Sequence, residues 1–252
     1  MPEVVVVIPA RYGSSRFEGK ALADLEGEPL IVRTARRAAA MKAADRVLIA
    51  TDDDRIAAAV SAAGFEAVMT GVHASGTDRI GEAVFGADAG PDPEIVVNLQ
   101  GDEPLLDPAE ADRLVAALRA DPDAGIATLA HEFSDEAEWA DPNTVKVVSD
   151  DDGRALLFTR APVPGSHPGF GDPAWGLARR HVGIYAYRTE ALRRFIAVGP
   201  HPLELAEGLE QLRALAAGET ILVLETDHRP VGVDTPADLE RARGLWRAGA
   251  GR

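Results

Sequence analysis

The chain has 252 residues, 46% hydrophobic and 27% charged, a composition of ordinary folded domains that excludes disordered and collagen-like classes. Lys and Arg number 26 against 41 Asp and Glu, a formal net charge of −15, so neither nucleic acid nor an anionic membrane is an expected partner. The absence of cysteine excludes a disulfide scaffold, a thiolate metal site and a Cys nucleophile.

The apolar run 4–8 has no basic flank and is too short for a signal peptide or a membrane span, so cytoplasmic residence is expected. That run, 47–50, 95–97, 145–148 and 221–224 read as short strands buried on both faces. Helices are predicted between them over 30–40, 54–63 and 108–118, with a last one over 236–247. Asp107-Pro108 and Thr235-Pro236 read as helix starts, with Pro just inside the cap. The alternation is βαβα, and one domain over 1–252 is expected. The Pro- and Gly-rich stretch 150–218, with a strand over 181–187 and a helix over 203–217, reads as a subdomain or lid inserted within that domain.

Three places carry chemistry. After the first strand comes Pro9-Ala-Arg-Tyr-Gly-Ser-Ser-Arg-Phe-Glu-Gly-Lys20, where Arg11, Arg16 and Lys20 face a single acid, Glu18. Ligands of open α/β sheets bind where strands end, and glycines there let backbone N–H groups approach phosphate. The loop is neither a dinucleotide fingerprint nor a Walker A loop, since Ala21 stands where Ser or Thr would be needed. Its cations suit a triphosphate; the alternative is a solvated polar loop. The third strand ends in Asn98-Leu-Gln100-Gly-Asp102-Glu-Pro104, which places Asp102 to bind Mg2+. Asp234, in Gly232-Val-Asp-Thr-Pro236, is either a second metal carboxylate or a helix cap, with Thr235 as the rival cap.

These motifs form an ordered set. Val7-Ile-Pro-Ala-Arg-Tyr-Gly-Ser-Ser-Arg16 with Gly19-Lys20, Ala50-Thr-Asp-Asp-Asp-Arg-Ile56, His73-Ala-Ser-Gly-Thr-Asp-Arg-Ile80 and Val97-Asn-Leu-Gln-Gly-Asp-Glu-Pro104 come first. Arg160-Ala-Pro-Val-Pro164, His181-Val-Gly-Ile-Tyr-Ala-Tyr187, Leu209-Glu-Gln-Leu-Arg213 and Gly232-Val-Asp-Thr-Pro236 follow. Together they span nearly the whole chain, and the set closely resembles the 3-deoxy-manno-octulosonate (KDO) cytidylyltransferase family.

The resemblance implies a Rossmann-like, mixed but mainly parallel sheet of the nucleotide-diphospho-sugar transferase type, with 150–218 serving the sugar pocket and a homodimer contact. It implies Mg2+-dependent activation of a sugar acid, KDO, by CTP to give CMP-KDO and pyrophosphate. Arg11, Ser14 and Lys20 would hold the triphosphate, and Ala10, Arg11, Arg79 and Gln100 would serve the nucleotide. Asp102 and Asp234 would hold the metal; with Lys20 and Arg11 they form the catalytic set. Gln100, Arg160, His181, Glu210 and Gln211 would line the sugar pocket. The residues themselves also permit plainer readings: a solvated Arg160, a structural His181, an exposed helix face at Glu210 and Gln211, and a helix cap at Thr77 or Asp78 beside Arg79. Phe17-Glu18 replaces the family's usual Leu-Pro, and Thr159 replaces its usual Ser. Rival functions are activation of another acid (nonulosonic or sialic acid, amino-KDO, a phosphonate) and a non-catalytic nucleotide-binding protein.

Overall fold

The computed structural model describes residues 3–13, 16–73, 75–87, 89–169 and 174–249, and the chain divides into two compact units, Met1–Val115 with Pro230–Arg252, and Ala116–Arg229. The expected insert 150–218 lies within the second unit, which extends beyond it on both sides.

The first unit starts with β1 (Val4–Ala10), whose Val4, Val6, Val7 and Ile8 are fully buried. Each such side chain contributes about 1.5–3 kcal/mol by leaving water, which is why an unbroken β-branched run occupies an inner strand. A small ribbon, β2 (Asp24–Leu25) with β3 (Glu28–Pro29), leads into α1 (Leu30–Ala39). Then come β4 (Arg46–Thr51), α2 (Asp54–Ala62), β5 (Glu66–Met69), α3 (Gly76–Phe85), β6 (Ile95–Asn98) and α4 (Pro108–Ala120). β1 pairs in parallel with β4 on one side and β6 on the other, and β4 pairs in parallel with β5. All four strands therefore point the same way, and the loops after β1 and β6 emerge side by side at one sheet edge.

Caps fix where several helices begin. The Asp53 carboxylate accepts the Arg55 and Ile56 N–H groups, and Asp107 accepts the Ala109 N–H, as the Asp-Pro start predicts. For α3 the cap is Ser75, which accepts from the Asp78 N–H; the Thr77 or Asp78 cap is thereby corrected. The C-terminal helix, Pro236–Arg247, returns to this unit and packs Leu239 and Ala242 on Leu25, Leu30 and Val233.

The second unit contains β7 (Ile126–His131), α5 (Glu136–Ala140), β8 (Lys146–Ser149), β9 (Ala155–Thr159), β10 (Arg179–Arg188), α6 (Thr189–Val198), α7 (Pro202–Glu207), α8 (Gln211–Ala216) and β11 (Ile221–Glu225). Its sheet is mixed: β7 pairs with β11 in parallel and with β10 antiparallel, while β8 pairs antiparallel with both β10 and β9. The helix predicted over 203–217 is two helices, because Gly208 takes a left-handed conformation (φ 62°) and closes the first. Among the described residues no helix is long and apolar enough to cross a membrane.

Candidate active site

Two glycines shape the edge of the first unit. A Cβ on Gly101 would lie 3.1 Å from the Pro9 carbonyl oxygen and 3.2 Å from Ile31, so its absence lets the loop after β6 press onto the end of β1. Gly19 has φ +69°, and its missing Cβ would stand 3.1 Å from the Tyr12 ring. The Gly19 N–H donates to the Tyr12 carbonyl at 3.0 Å, and the Arg55 guanidinium lies over the other part of the clamp, 3.3 Å from the Tyr12 ring centroid. The loop is thus folded back on itself and delivers Lys20 to the sheet edge.

There the Lys20 ammonium donates to Asp102 Oδ2 at 2.6 Å and to Asp234 Oδ1 at 3.1 Å. Arg16 adds a second cation to Asp234 Oδ1 at 3.0 Å. The Val233 N–H donates to the Asp102 carbonyl at 2.9 Å, tying the two acidic segments together. Asp234 is not the helix cap: Thr235 is, in a capping box with Asp238, so the Asp234 carboxylate is left for the cluster. The two carboxylates and Lys20, up to 214 positions apart in sequence, form one site with all three side chains partly open to solvent.

Other candidates of this unit fall around it. Arg11 is exposed, Ala10 is buried at the end of β1, and Gln100 is partly exposed in the loop after β6. Arg79 is buried and bonds Asp52 Oδ2 at 2.8 Å and Thr70 Oγ1 at 2.5 Å, so its first role is to brace the ends of β4 and β5. Ser14 lies outside the described residues. Phe17 packs against the Leu25–Leu30–Val233 cluster, which gives the Phe at that position a structural purpose, while Glu18 is exposed. Sequence reasoning missed Glu103. Burial, and then the Asp102 charge, push its pKa up to about 8, and its buried Oε2 has no hydrogen bond among the described residues, so the protonated form is favoured at neutral pH beside Asp102.

The remaining sugar-side candidates belong to the second unit. His181 packs edge-on against Phe158 and tilted against Tyr185, with ring centroids 5.2 and 5.3 Å away. Desolvation pushes its pKa down to about 3, so it is a neutral imidazole. Its Nε2 lies 3.0 Å from Thr128 Oγ1, a hydroxyl that also reaches the Ile184 carbonyl at 2.7 Å and the Val182 carbonyl at 3.1 Å. Gln211 is buried at the start of α8 and Glu210 is partly buried before it, so the exposed-face reading of this pair is corrected.

Arg160 is equally far from a solvated loop residue. Its backbone N–H donates to Glu207 Oε2 at 2.8 Å, its Nε to the Glu207 carbonyl at 2.7 Å and its Nη1 to the Pro142 carbonyl at 3.1 Å. The Thr159 hydroxyl donates to Glu207 Oε1 at 2.7 Å, a bond that the family's usual Ser would also supply. These bonds hold the Glu207 carboxyl below the usual carboxylate range, Thr159 contributing most.

A family model described as cytidylyltransferase matches residues 5–221. A solved cytidylyltransferase from Leptospira borgpetersenii is 16% identical with a TM-score of 0.66, covering 98% of this chain and 88% of that one, a likeness of fold. The parallel βα unit with its basic loop and acidic strand end is that of a cytidylyltransferase, and the chain is a nucleotidyltransferase of this class. A 3-deoxy-manno-octulosonate cytidylyltransferase of Anaeromyxobacter dehalogenans (strain 2CP-C) is 51% identical over 99% of this chain and 100% of its own length. The one of Geotalea uraniireducens (strain Rf4) is 44% identical over 95% and 97%. A solved structure of CMP:2-keto-3-deoxy-manno-octonic acid synthetase complexed with CTP is 43% identical, with a TM-score of 0.89 over 98% of this chain and 99% of that one. The chain belongs to the 3-deoxy-manno-octulosonate cytidylyltransferase family.

Proposed function

We propose that this protein transfers CMP from CTP to KDO, releasing pyrophosphate. The anomeric hydroxyl oxygen forms a bond to the α-phosphorus, the bond to the β-phosphate oxygen breaks, and the hydroxyl proton passes to water. The observation that carries this reading is the Lys20–Asp102–Asp234 cluster at the end of two parallel strands. Lys20, Arg16 and the exposed Arg11 supply positive charge for a triphosphate and its departing pyrophosphate.

The acidic pair fits a divalent cation: two oxygen donors from separate segments already turn toward one cationic nitrogen, and Mg2+ needs only one or two carboxylates beside substrate phosphates. Asp102 and Asp234 would hold the ion, which when bound polarises the α-phosphate. Lys20, bonded to the same two carboxylates here, would pair with the triphosphate. In the second unit Arg160, held by Glu207 and Pro142, would pair with the carboxylate of the sugar acid, a reading its bonds support. Neutral His181, with Glu210 and Gln211, offers hydrogen bonds to hydroxyl groups.

Self-association through the second unit is part of the same reading. Leu156, Leu157, Leu177, Leu203 and Leu205 of this unit are large apolar side chains left exposed, which a second copy would cover. Light scattering on the eluting protein is expected to give a dimer mass, and a monomer mass would contradict it. The reaction itself is tested by pyrophosphate release from CTP and Mg2+ with a panel of acids. Release with KDO and not with a sialic acid is expected; release with another acid alone, or CTP binding without turnover on any acid, would overturn the proposal.

A further inference from the structure

Lys146 opens β8, where it stands opposite Thr159 of β9, and its side chain is completely buried. The ammonium donates to three backbone carbonyls: Asp141 at 2.6 Å, Arg160 at 2.9 Å and Thr144 at 3.0 Å. An ammonium has three N–H groups, and here each has its own acceptor. Among the described residues no carboxylate bonds it. Burying a cation among neutral carbonyls carries a desolvation cost of several kcal/mol that the three hydrogen bonds must offset, so the net gain in stability over a site built apolar from the start is small. What the arrangement provides is geometry.

The geometry converges on one residue. Lys146 holds the Arg160 carbonyl from inside, while Glu207 takes the Arg160 N–H and Nε–H from the other side. The second restraint on the guanidinium, the Pro142 carbonyl, belongs to the very 141–144 turn that Lys146 gathers through Asp141 and Thr144. Both backbone polar groups of Arg160 and two directions of its guanidinium are therefore fixed, leaving Nη2 without a bond among the described residues.

We infer that Lys146 is a positioning residue for Arg160: its carbonyl cage aims the guanidinium at the carboxylate of the acid substrate. The inference rests on the reading of Arg160 as the partner of that carboxylate. Misaiming a clamp by a fraction of an ångström weakens its bidentate pair without touching the nucleotide side.

The test measures KM for KDO and for CTP separately in Lys146→Met, Arg160→Met and the double variant. Lys146→Met is expected to raise KM for KDO roughly 10-fold and to leave KM for CTP within about 2-fold. Because Lys146 acts through Arg160, the double variant is expected to be no worse for KDO than Arg160→Met alone, whereas a merely structural role would multiply the two effects. A multiplied effect, or an unchanged KM for KDO in Lys146→Met beside a raised one in Arg160→Met, overturns the inference alone. An unchanged KM for KDO in Arg160→Met overturns the underlying reading as well. If Lys146→Met does not fold, Lys146→Gln, which keeps two donors, is expected to show the same split at roughly 3-fold, and an unchanged KM for KDO there is equally decisive.

Discussion

Lys20 and Lys146 do opposite things with the same ammonium group. Lys20 lies between two carboxylates, partly open to solvent, and Lys146 is sealed among three carbonyls. Coulomb attraction in a wet site is strong enough to place a cation and weak enough to let it go when a better-charged partner arrives. A buried cage of neutral acceptors cannot be exchanged in that way, because any departure leaves carbonyls unpaired in a dry interior. The first lysine is built to change partners, the second to hold its neighbours still. The chain has only three lysines, Lys20, Lys42 and Lys146, amid many arginines, so at two of these places a compact three-donor charge stands where Arg is the common cation.

The largest effect is expected on the wet side. Asp102→Asn removes half of the acidic pair and is expected to lower kcat/KM at least about 100-fold, read as pyrophosphate release; a loss under about 3-fold would remove Asp102 from the metal site. Lys20→Met comes next, with kcat/KM for CTP down about 10- to 100-fold and KM for KDO little changed. An effect on KDO instead would break the contrast between the two lysines.

Stability separates them further. Lys146→Met takes the ammonium donor from the Thr144 and Arg160 carbonyls, while Asp141 keeps the Thr144 hydroxyl and N–H, and is expected to cost about 3 kcal/mol in denaturant unfolding. Lys20→Met, in a screened site, is expected to stay within about 1 kcal/mol. Equal costs would contradict the distinction between exchangeable and fixed cations.

The smallest effect concerns His181 in the dry unit. Its pKa near 3 lies below the ordinary histidine value of 6.5, so the unfolded chain takes up the proton first. The stability tied to its neutral form is complete above pH 6.5 and is lost progressively as pH falls toward 3. The His181 ring signals in NMR are expected not to titrate between about pH 5 and 8, and a midpoint near the ordinary value would show an open, solvated ring.

What the sequence disclosed follows the same division. β1, β4 and β6 were legible because inner parallel strands are continuous β-branched runs, and the basic loop and Asp102 follow directly from where those strands end. The Asp234 ambiguity was also visible, and the capping box of Thr235 with Asp238 answers it. The second unit was harder. β7 reads Ile-Ala-Thr-Leu-Ala-His, too rich in small residues to announce a fully buried strand, and β9 belongs to the sheet only through its pairing with β8. Lys146 looks like the solvent-facing position of a short strand, and Glu207 like one more helix acid, because carbonyl partners leave no trace in a sequence. Glu103 was hidden for a related reason: burial, not residue type, keeps it protonated.

Lys20 belongs to the triphosphate and changes partners when CTP arrives, while Lys146 does not. With three lysines, heteronuclear NMR of the ammonium groups resolves this directly, each signal assigned by one substitution. Adding CTP is expected to shift the Lys20 signal and to leave the Lys146 signal protected and in place. A Lys20 signal indifferent to CTP, or a Lys146 signal that moves with it, would mean that the two ammonium groups are not divided into an exchangeable and a fixed one.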